Sequence, residues 1–248
     1  MKTTPIGMKT ALTSSALILS VLLTGCSSNN DKPTAPETFS TANTSVQKIP
    51  DTGEVMDNGK GKYLQSTITD NDPAMKMNRE LFNRDLKDIY SDQELFEAQK
   101  TVIRFIAEET IDSTVQGGGN TNEWFEKNKG RFTPEYQPLV QKALKDPNSA
   151  FLIDSGIRSA AGYDLAYDEK SVRVDKRSIL LSSISKASGD RVNVSADIKY
   201  KLKTNDGKTE TGSGQVSYIV TKSADGKWLI SGYKNKVSIQ AHNLEASK

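Results

Sequence analysis

The chain has one cysteine, Cys26, and one histidine, His242, so few of its residues are of the types that carry nucleophilic or metal chemistry. A zinc site needs a cluster of Cys and His, and a Ser-His-Asp or Cys-His arrangement needs a histidine beside the nucleophile. His242 lies in a polar tail and is predicted to be a solvated surface residue. The phosphate-binding patterns G-x-x-x-x-G-K-[ST] and G-x-G-x-x-G do not occur. The sequence therefore predicts no metal site and no cofactor.

Two tyrosines and two aspartates, Tyr163, Asp164, Tyr167 and Asp168, form a second group of candidates. A carboxylate base and an acidic donor that face one pocket can carry out a proton transfer. The same residue types are common where a helix passes to a strand, because their side chains form turns and hydrogen bonds. The turn interpretation is favoured, so the expected function is not enzymatic.

The residues before Cys26 form a pattern that is typical of exported proteins. Lys2 and Lys9 precede an apolar run that is interrupted by serine and threonine and ends in Leu-Thr-Gly-Cys at positions 23 to 26. The run is shorter than the roughly 20 apolar residues that a membrane-spanning helix needs. It is therefore predicted to be a secretory signal that covers residues 1 to 25.

The Leu-Thr-Gly-Cys motif resembles the lipobox of bacterial lipoproteins. The resemblance implies that the signal is removed and that Cys26 becomes a lipidated N-terminus carrying acyl chains such as palmitate. Burial of each methylene contributes about 0.8 kcal/mol, so two or three acyl chains hold a protein on a membrane durably. The implied location is the extracytoplasmic face of the cell membrane or outer membrane, with the membrane as a partner through the lipid on Cys26.

Charge and composition divide the remaining chain into a tether and one domain. The formal net charge of +2 is matched by Lys2 and Lys9 in the signal, so the mature chain is almost neutral and no nucleic-acid partner is expected. Residues 26 to 68 are rich in Ser, Asn, Thr and Pro, and are predicted to be the lipidated cysteine and a disordered tether. Residues 69 to 248 are expected to form a single domain, which is large enough to bury a core without disulfides.

The first half of this domain has apolar residues at the three- and four-residue spacings of amphipathic helices. A helix is predicted that has Asp72 as its N-cap and Pro73 at its first position, with apolar residues from Met75 to Tyr90. A stronger helix is predicted over residues 92 to 112 behind a capping-box pattern. A short helix is predicted from Asn120, and another from Thr133 to Leu144.

The second half changes to an alternation with a period of two, which is typical of strands with one buried face. Glycine-containing turns separate four predicted strands. These strands cover residues 171 to 187, 191 to 204, 209 to 222 and 227 to 237. Sheets with one buried and one solvated face are mostly antiparallel, so an antiparallel meander is expected.

Helices followed by such a meander, ending in Asp-Gly-Lys-Trp-Leu-Ile-Ser-Gly-Tyr at positions 225 to 233, resemble the NTF2-like, or cystatin-like α+β, superfamily. The resemblance implies an α+β fold with N-terminal helices packed in a curved four-stranded antiparallel sheet that forms a cone. Members include isomerases and dehydratases, small-ligand binders and non-catalytic domains of envelope assemblies. The resemblance therefore implies, as the weaker alternative, an isomerase or hydratase that uses the Tyr–Asp group. The fold therefore does not choose between these functions.

The favoured function is a membrane-anchored lipoprotein whose NTF2-like domain is a non-catalytic protein-interaction module of the cell envelope, as in a secretion or conjugation assembly. The expected partner is an envelope protein or a second copy of the chain. This hypothesis predicts a filled or shallow cone and an apolar patch on the sheet. Strand alternation places Ile219, Leu229 and Tyr233 in the predicted patch.

The alternative is a binder of a small apolar or amphipathic ligand inside the cone. The predicted pocket walls are Phe105, Tyr200 and Trp228, although an ordinary core position is the favoured interpretation of these aromatics. An open cavity of several hundred Å³ is required by this alternative.

Overall fold

The structure is a computed structural model. It describes residues 53 to 115, 119 to 146, 149, 151 to 152 and 165 to 241. Cys26, Tyr163, Asp164 and His242 lie outside these ranges, as does the whole predicted signal. Among the helices in the described ranges, none combines the length and the apolar character needed to cross a membrane.

The fold is α+β, with a helical part that precedes a five-stranded antiparallel sheet. The helices are α1 (Arg84–Lys87), α2 (Asp92–Phe105), α3 (Thr121–Asn128) and α4 (Gln137–Lys145). A π-helix, Ile106–Ile111, continues α2, and a 3₁₀ turn, Lys129–Arg131, follows α3.

Helix α2 begins where the capping box predicts. The side chain of Ser91 accepts a hydrogen bond from the N–H of Glu94, and the Glu94 carboxylate accepts one from the N–H of Ser91. The apolar face of α2 then lies fully buried against the inner face of the sheet. The predicted helix over residues 92 to 112 is confirmed, with the difference that its last turns are π-helical.

The predicted helix from Met75 to Tyr90 is wrong. This stretch consists of two 3₁₀ turns and the single-turn helix α1. The side chains of Asp72, Asn78 and Asn83 each accept a hydrogen bond from the backbone N–H two residues later. Each such local bond starts a new turn and competes with a continuous helix, which apolar spacing alone does not reveal.

The main sheet has the strand order β3-β4-β5-β6, and β7 also pairs with β5. The strands are β3 (Val174–Lys186), β4 (Val192–Lys203), β5 (Thr209–Lys222), β6 (Trp228–Tyr233) and β7 (Lys236–Ala241). The four predicted strands are confirmed in their order. The last of them is divided into β6 and β7, and both parts pair with β5; Lys234, at the junction, also exchanges backbone hydrogen bonds with Ser217 of β5.

A hairpin made of β1 (Val55–Asp57) and β2 (Lys62–Leu64) precedes the helices. The predicted tether included this segment up to residue 68, and that boundary is wrong because Tyr63 and Ser66 are fully buried against the domain. The segment is held largely by polar side chains that find hydrogen-bond partners in distant parts of the chain. Its low apolar content therefore does not prevent it from folding.

The core between the helices and the sheet is rich in aromatic rings. The Phe105 ring lies at the centre of a cluster, with ring centroids 5.0 to 6.4 Å away, formed by Trp124, Phe132, Phe151 and Tyr218. All five side chains are at most 2% exposed. The rings thus fill the space that the α2 face and the inner sheet face enclose.

Candidate functional site

Two members of the predicted Tyr–Asp group lie in the described residues, Tyr167 and Asp168. Each makes local contacts of its own. The Tyr167 hydroxyl accepts a hydrogen bond from Asn58 Nδ2 at 3.0 Å, and its ring covers Gly61 in the β1–β2 hairpin. The exposed Asp168 carboxylate accepts bonds from the Ser171 hydroxyl at 2.6 Å and the Lys170 N–H at 2.9 Å, and these bonds lower its pKa. The two side chains do not converge on one pocket position.

The structure brings Phe105 and Trp228 to one groove but places Tyr200 elsewhere. The Tyr200 hydroxyl donates to Glu210 Oε1 at 2.9 Å, and its ring occupies the space beside Gly212, where any side chain would collide with it. The predicted pocket with all three aromatic walls is therefore not formed. Tyr200 is a core residue on the far part of the sheet.

The predicted surface patch is divided between the two faces of the sheet. Ile219 and Leu229 lie on the outer face, whereas the Tyr233 ring packs on the inner side, 5.1 Å from that of Phe151. Ile219 pairs with Gly232 and Val220 pairs with Ile230, so one residue is extra in β6. This bulge reverses the alternation after it, which strand periodicity in the sequence does not predict.

A groove of about 430 Å³ lies at the surface between α2 and β6, and we call it the α2–β6 groove. Phe105, Trp228 and Ile230 lie at its base, and their side chains are at most 7% exposed. The charged side chains at its rim are Glu97, Arg104, Glu108, Arg131 and Lys227. Glu97, Arg104 and Glu108 are seven and four residues apart along the helix and so lie on one helix face.

The charges at the rim of the groove are paired. Arg131 contacts Glu108 at 3.3 Å, and the nearby Lys227 contacts Asp225 at 2.8 Å. Arg104 is paired with Asp70 outside the groove at 3.1 Å. Because positive and negative charges alternate in pairs, the groove does not present one sign of charge that would select a polyanion or a polycation.

A buried carboxyl group lies behind the groove. Trp124 Nε1 donates a 2.6 Å hydrogen bond to Glu109 Oε2, and Glu109 is only 4% exposed. Burial raises the pKa of Glu109 to about 7, although the Arg131 charge and the Trp124 bond act in the opposite direction. Glu109 was not among the residues predicted from the sequence. Its helical spacing places it on the same apolar stripe as Val102 and Ile106, and this is the signal that could have identified it.

The burial of Glu109 predicts a pH-dependent stability. Its folded-state pKa of about 7 exceeds its ordinary value of 4.5, so the folded protein binds more protons between these values and loses stability as pH rises to about 7. Each pKa unit corresponds to about 1.4 kcal/mol, so the loss is of order 3 kcal/mol. In urea denaturation, Glu109→Gln should remove most of this dependence and stabilise the protein at pH 8. An unchanged dependence between pH 5 and pH 8 would contradict the prediction.

A fully buried ion pair joins the β1–β2 hairpin to the rest of the domain. Arg173 donates from Nη2 at 2.9 Å and from Nε at 3.1 Å to Asp112 Oδ1, and the Ser66 N–H donates to Asp112 Oδ2 at 2.9 Å. The Arg173 guanidinium lies 3.4 Å from the centroid of the Tyr63 ring. Both charges are at most 1% exposed. The pair has a structural role, because neither side chain can reach a ligand without opening the hairpin.

Within the described ranges, no group of three or more His, Cys, Asp or Glu side chains is arranged to hold a metal ion. The arrangements described above are the α2–β6 groove, the buried Glu109 carboxyl group and the buried Arg173–Asp112 pair. Comparison of the chain with protein-family models, with curated proteins and with solved structures finds no match.

Proposed function

We propose that the chain is a lipid-anchored lipoprotein of the cell envelope, and that its folded domain docks a protein partner without catalysing a reaction. The observation that carries the proposal is the filled interior, in which Phe105 and the rings around it occupy the space between α2 and the sheet. Because these rings fill that space in the described part of the chain, we expect the domain to present its chemistry on its surface. The open volume described above is a surface groove.

The anchor and the finer fold are parts of the same proposal. The Leu-Thr-Gly-Cys motif supports lipidation of Cys26 and a position on the extracytoplasmic face of the cell membrane or outer membrane. The order of helices before long antiparallel strands supports an NTF2-like cone. Because residues 53 to 68 belong to the domain, the proposed tether ends earlier than residue 68 and is shorter by the length of the hairpin segment.

A small apolar or amphipathic ligand is the second candidate. The volume of the α2–β6 groove falls within the range of about 300 to 1,000 Å³ that is typical of small-molecule sites. The groove is open, however, and its rim is charged, whereas such sites enclose most of the ligand surface. This geometry favours a protein segment over a buried small molecule.

The proposal is tested with Cys26→Ser in the full chain. The variant should leave the membrane fraction completely while keeping the circular dichroism spectrum and melting temperature of its soluble domain, because only the acyl chains are lost. A photo-crosslinker at Leu229 should join the wild-type chain in intact cells to a defined envelope protein or to a second copy. Continued membrane retention would refute the lipid anchor, and the absence of any specific adduct would refute the docking role.

A further inference from the structure

Helix α3 is held on the domain by few apolar side chains. Of its eight residues, Trp124, Phe125 and Asn128 are buried, whereas α2 buries five apolar side chains. The chain beyond α3 is fixed separately, because the Thr133 N–H donates to the carbonyl of Ile230 in β6 at 3.0 Å. Segments with few buried apolar contacts are the ones that open locally, at a free energy below that of global unfolding. Helix α3 therefore has the features of an element that can open while the sheet stays folded.

A buried polar contact joins α3 to the end of α2. Trp124 Nε1 donates to Glu109 Oε2 at 2.6 Å, and Glu109 belongs to the π-helix that continues α2. Turns of π-helix are rare and occur frequently at functional sites. Because Glu109 is only 4% exposed, ionisation of its carboxyl group carries a desolvation cost that a close cation would have to offset. Among the ion pairs of the described residues, none includes Glu109.

Ionisable side chains on the neighbouring elements act on the Glu109 carboxyl group. The charges of Arg131, in the turn after α3, and of Lys127, in α3 itself, favour the ionised form, and the adjacent Glu108 opposes it. Arg131 contacts Glu108 at 3.3 Å, and the Lys127 ammonium group contacts the β1–β2 hairpin. Tyr63 of that hairpin stays neutral, because burial raises the pKa of its phenol well above the ordinary value of 10.0. Both cations near Glu109 thus already have other contacts.

The proton on Glu109 consequently favours the closed position of α3. In the closed domain, burial raises the pKa of Glu109 to about 7, whereas a carboxyl group exposed by opening has the ordinary value of 4.5. The closed form binds more protons between these two values, so the equilibrium constant for opening rises as pH rises from 4.5 to about 7 and is constant above that. These two pKa values correspond to a rise of about 70-fold between about pH 5 and pH 8.

We propose that Glu109 and Trp124 form a proton-controlled latch, in which the protonated carboxyl group keeps α3 on the π-helical end of α2 and the ionised form releases α3 while the sheet stays folded. Release exposes the apolar side chains of Trp124 and Phe125, which are buried in the closed domain. The latch is a regulatory device that goes beyond the proposed docking function and does not depend on it.

The indole N–H signal of Trp124 tests the contact directly by NMR. In the full chain carrying Cys26→Ser, this signal should shift with pH with a midpoint near 7, because its acceptor changes charge. The signal of Trp228, whose ring lies against Tyr90, serves as the internal reference. Glu109→Gln should abolish the shift. A Trp124 signal that does not titrate between pH 5 and pH 8 in the chain with Glu109 would overturn the proposal.

Amide hydrogen exchange then distinguishes release of α3 from a change in global stability. At pH 8, the opening constant of α3 should exceed that of the central strand β4 by about a hundredfold or more. Urea should change the α3 value little, because local opening exposes little surface. Equal opening constants for α3 and β4 would show that Glu109 affects global unfolding alone, and this would overturn the latch.

A matched variant separates Glu109 from other carboxyl groups. Glu123→Gln removes an exposed carboxyl group of α3 itself and should leave the rise of about 70-fold in place. Glu109→Gln should reduce the rise to less than about threefold, because the side chain no longer binds a proton over this range. The same pH dependence of α3 opening in both variants would overturn the latch.

Discussion

Asp112→Ala should lower the free energy of unfolding by about 3 to 5 kcal/mol, because the change leaves Arg173 buried without a compensating charge. Asp112 is the carboxylate that pairs with the fully buried Arg173 guanidinium. It also accepts from the Ser66 N–H, so the hairpin segment loses a fixed contact at the same time. Urea denaturation of the soluble Cys26→Ser chain, followed by tryptophan fluorescence, measures the loss.

Asp70→Ala is the matched control for this change. The Asp70 side chain also pairs with an arginine, Arg104, but it is 78% exposed, so its removal should change stability by less than about 1 kcal/mol. Asp112→Leu combined with Arg173→Met removes both charges and should recover part of the loss, because the uncompensated charge is gone. A loss below about 1 kcal/mol for Asp112→Ala would show that the hairpin opens readily and that water reaches Arg173.

Phe105→Ala should also destabilise the domain by about 3 to 5 kcal/mol, the usual range for truncating a buried aromatic residue. The ring is 1% exposed and has the Tyr218 ring 5.0 Å away and the Phe132 ring 5.8 Å away, both in edge contacts. Its removal leaves a cavity that the surrounding rings cannot fill without moving the helices from the sheet. The measurement is the urea midpoint at constant m-value.

Phe96→Ala is the control for Phe105→Ala, since Phe96 lies on the same helix but is only partly buried. We expect a loss of about 1 to 2 kcal/mol there, because less apolar area is withdrawn from water. A similarly small loss at Phe105 would mean that the interior is loosely packed. That outcome would contradict the filled core on which the docking function rests and would favour a ligand inside the domain.

The elements that the sequence predicted correctly depend on local interactions. Helix α2 follows from the Ser91–Glu94 capping box and an apolar stripe, both contained within a few turns. The long strands β3, β4 and β5 follow from alternation between a buried and a solvated face. The Leu-Thr-Gly-Cys motif is also a short linear pattern, but it lies outside the described residues, so lipidation of Cys26 stays a prediction.

Residues whose hydrogen-bond or charge partners lie far away in the sequence could not be predicted in this way. Tyr63 and Ser66 appear in a polar segment, and only the folded chain brings them to Asp112 and Arg173. The position of Tyr233 depends on a bulge set by pairing with β5. The contacts of Tyr63 and Ser66 join segments 46 or more residues apart, and the bulge depends on the register between β6 and β5, so neither periodicity nor composition contains them.

The same distinction between local and long-range contacts applies to the candidate site. The sequence by itself determined that Phe105 and Trp228 are apolar positions on a helix and a strand, and that the chain lacks the usual Cys and His chemistry. Tertiary structure alone decided that these two aromatics share a groove, that Tyr200 does not, and that β6 is the edge beside them. The physical reason is that local hydrogen bonds and burial patterns form helices and strands, whereas strand order and packing determine which side chains meet.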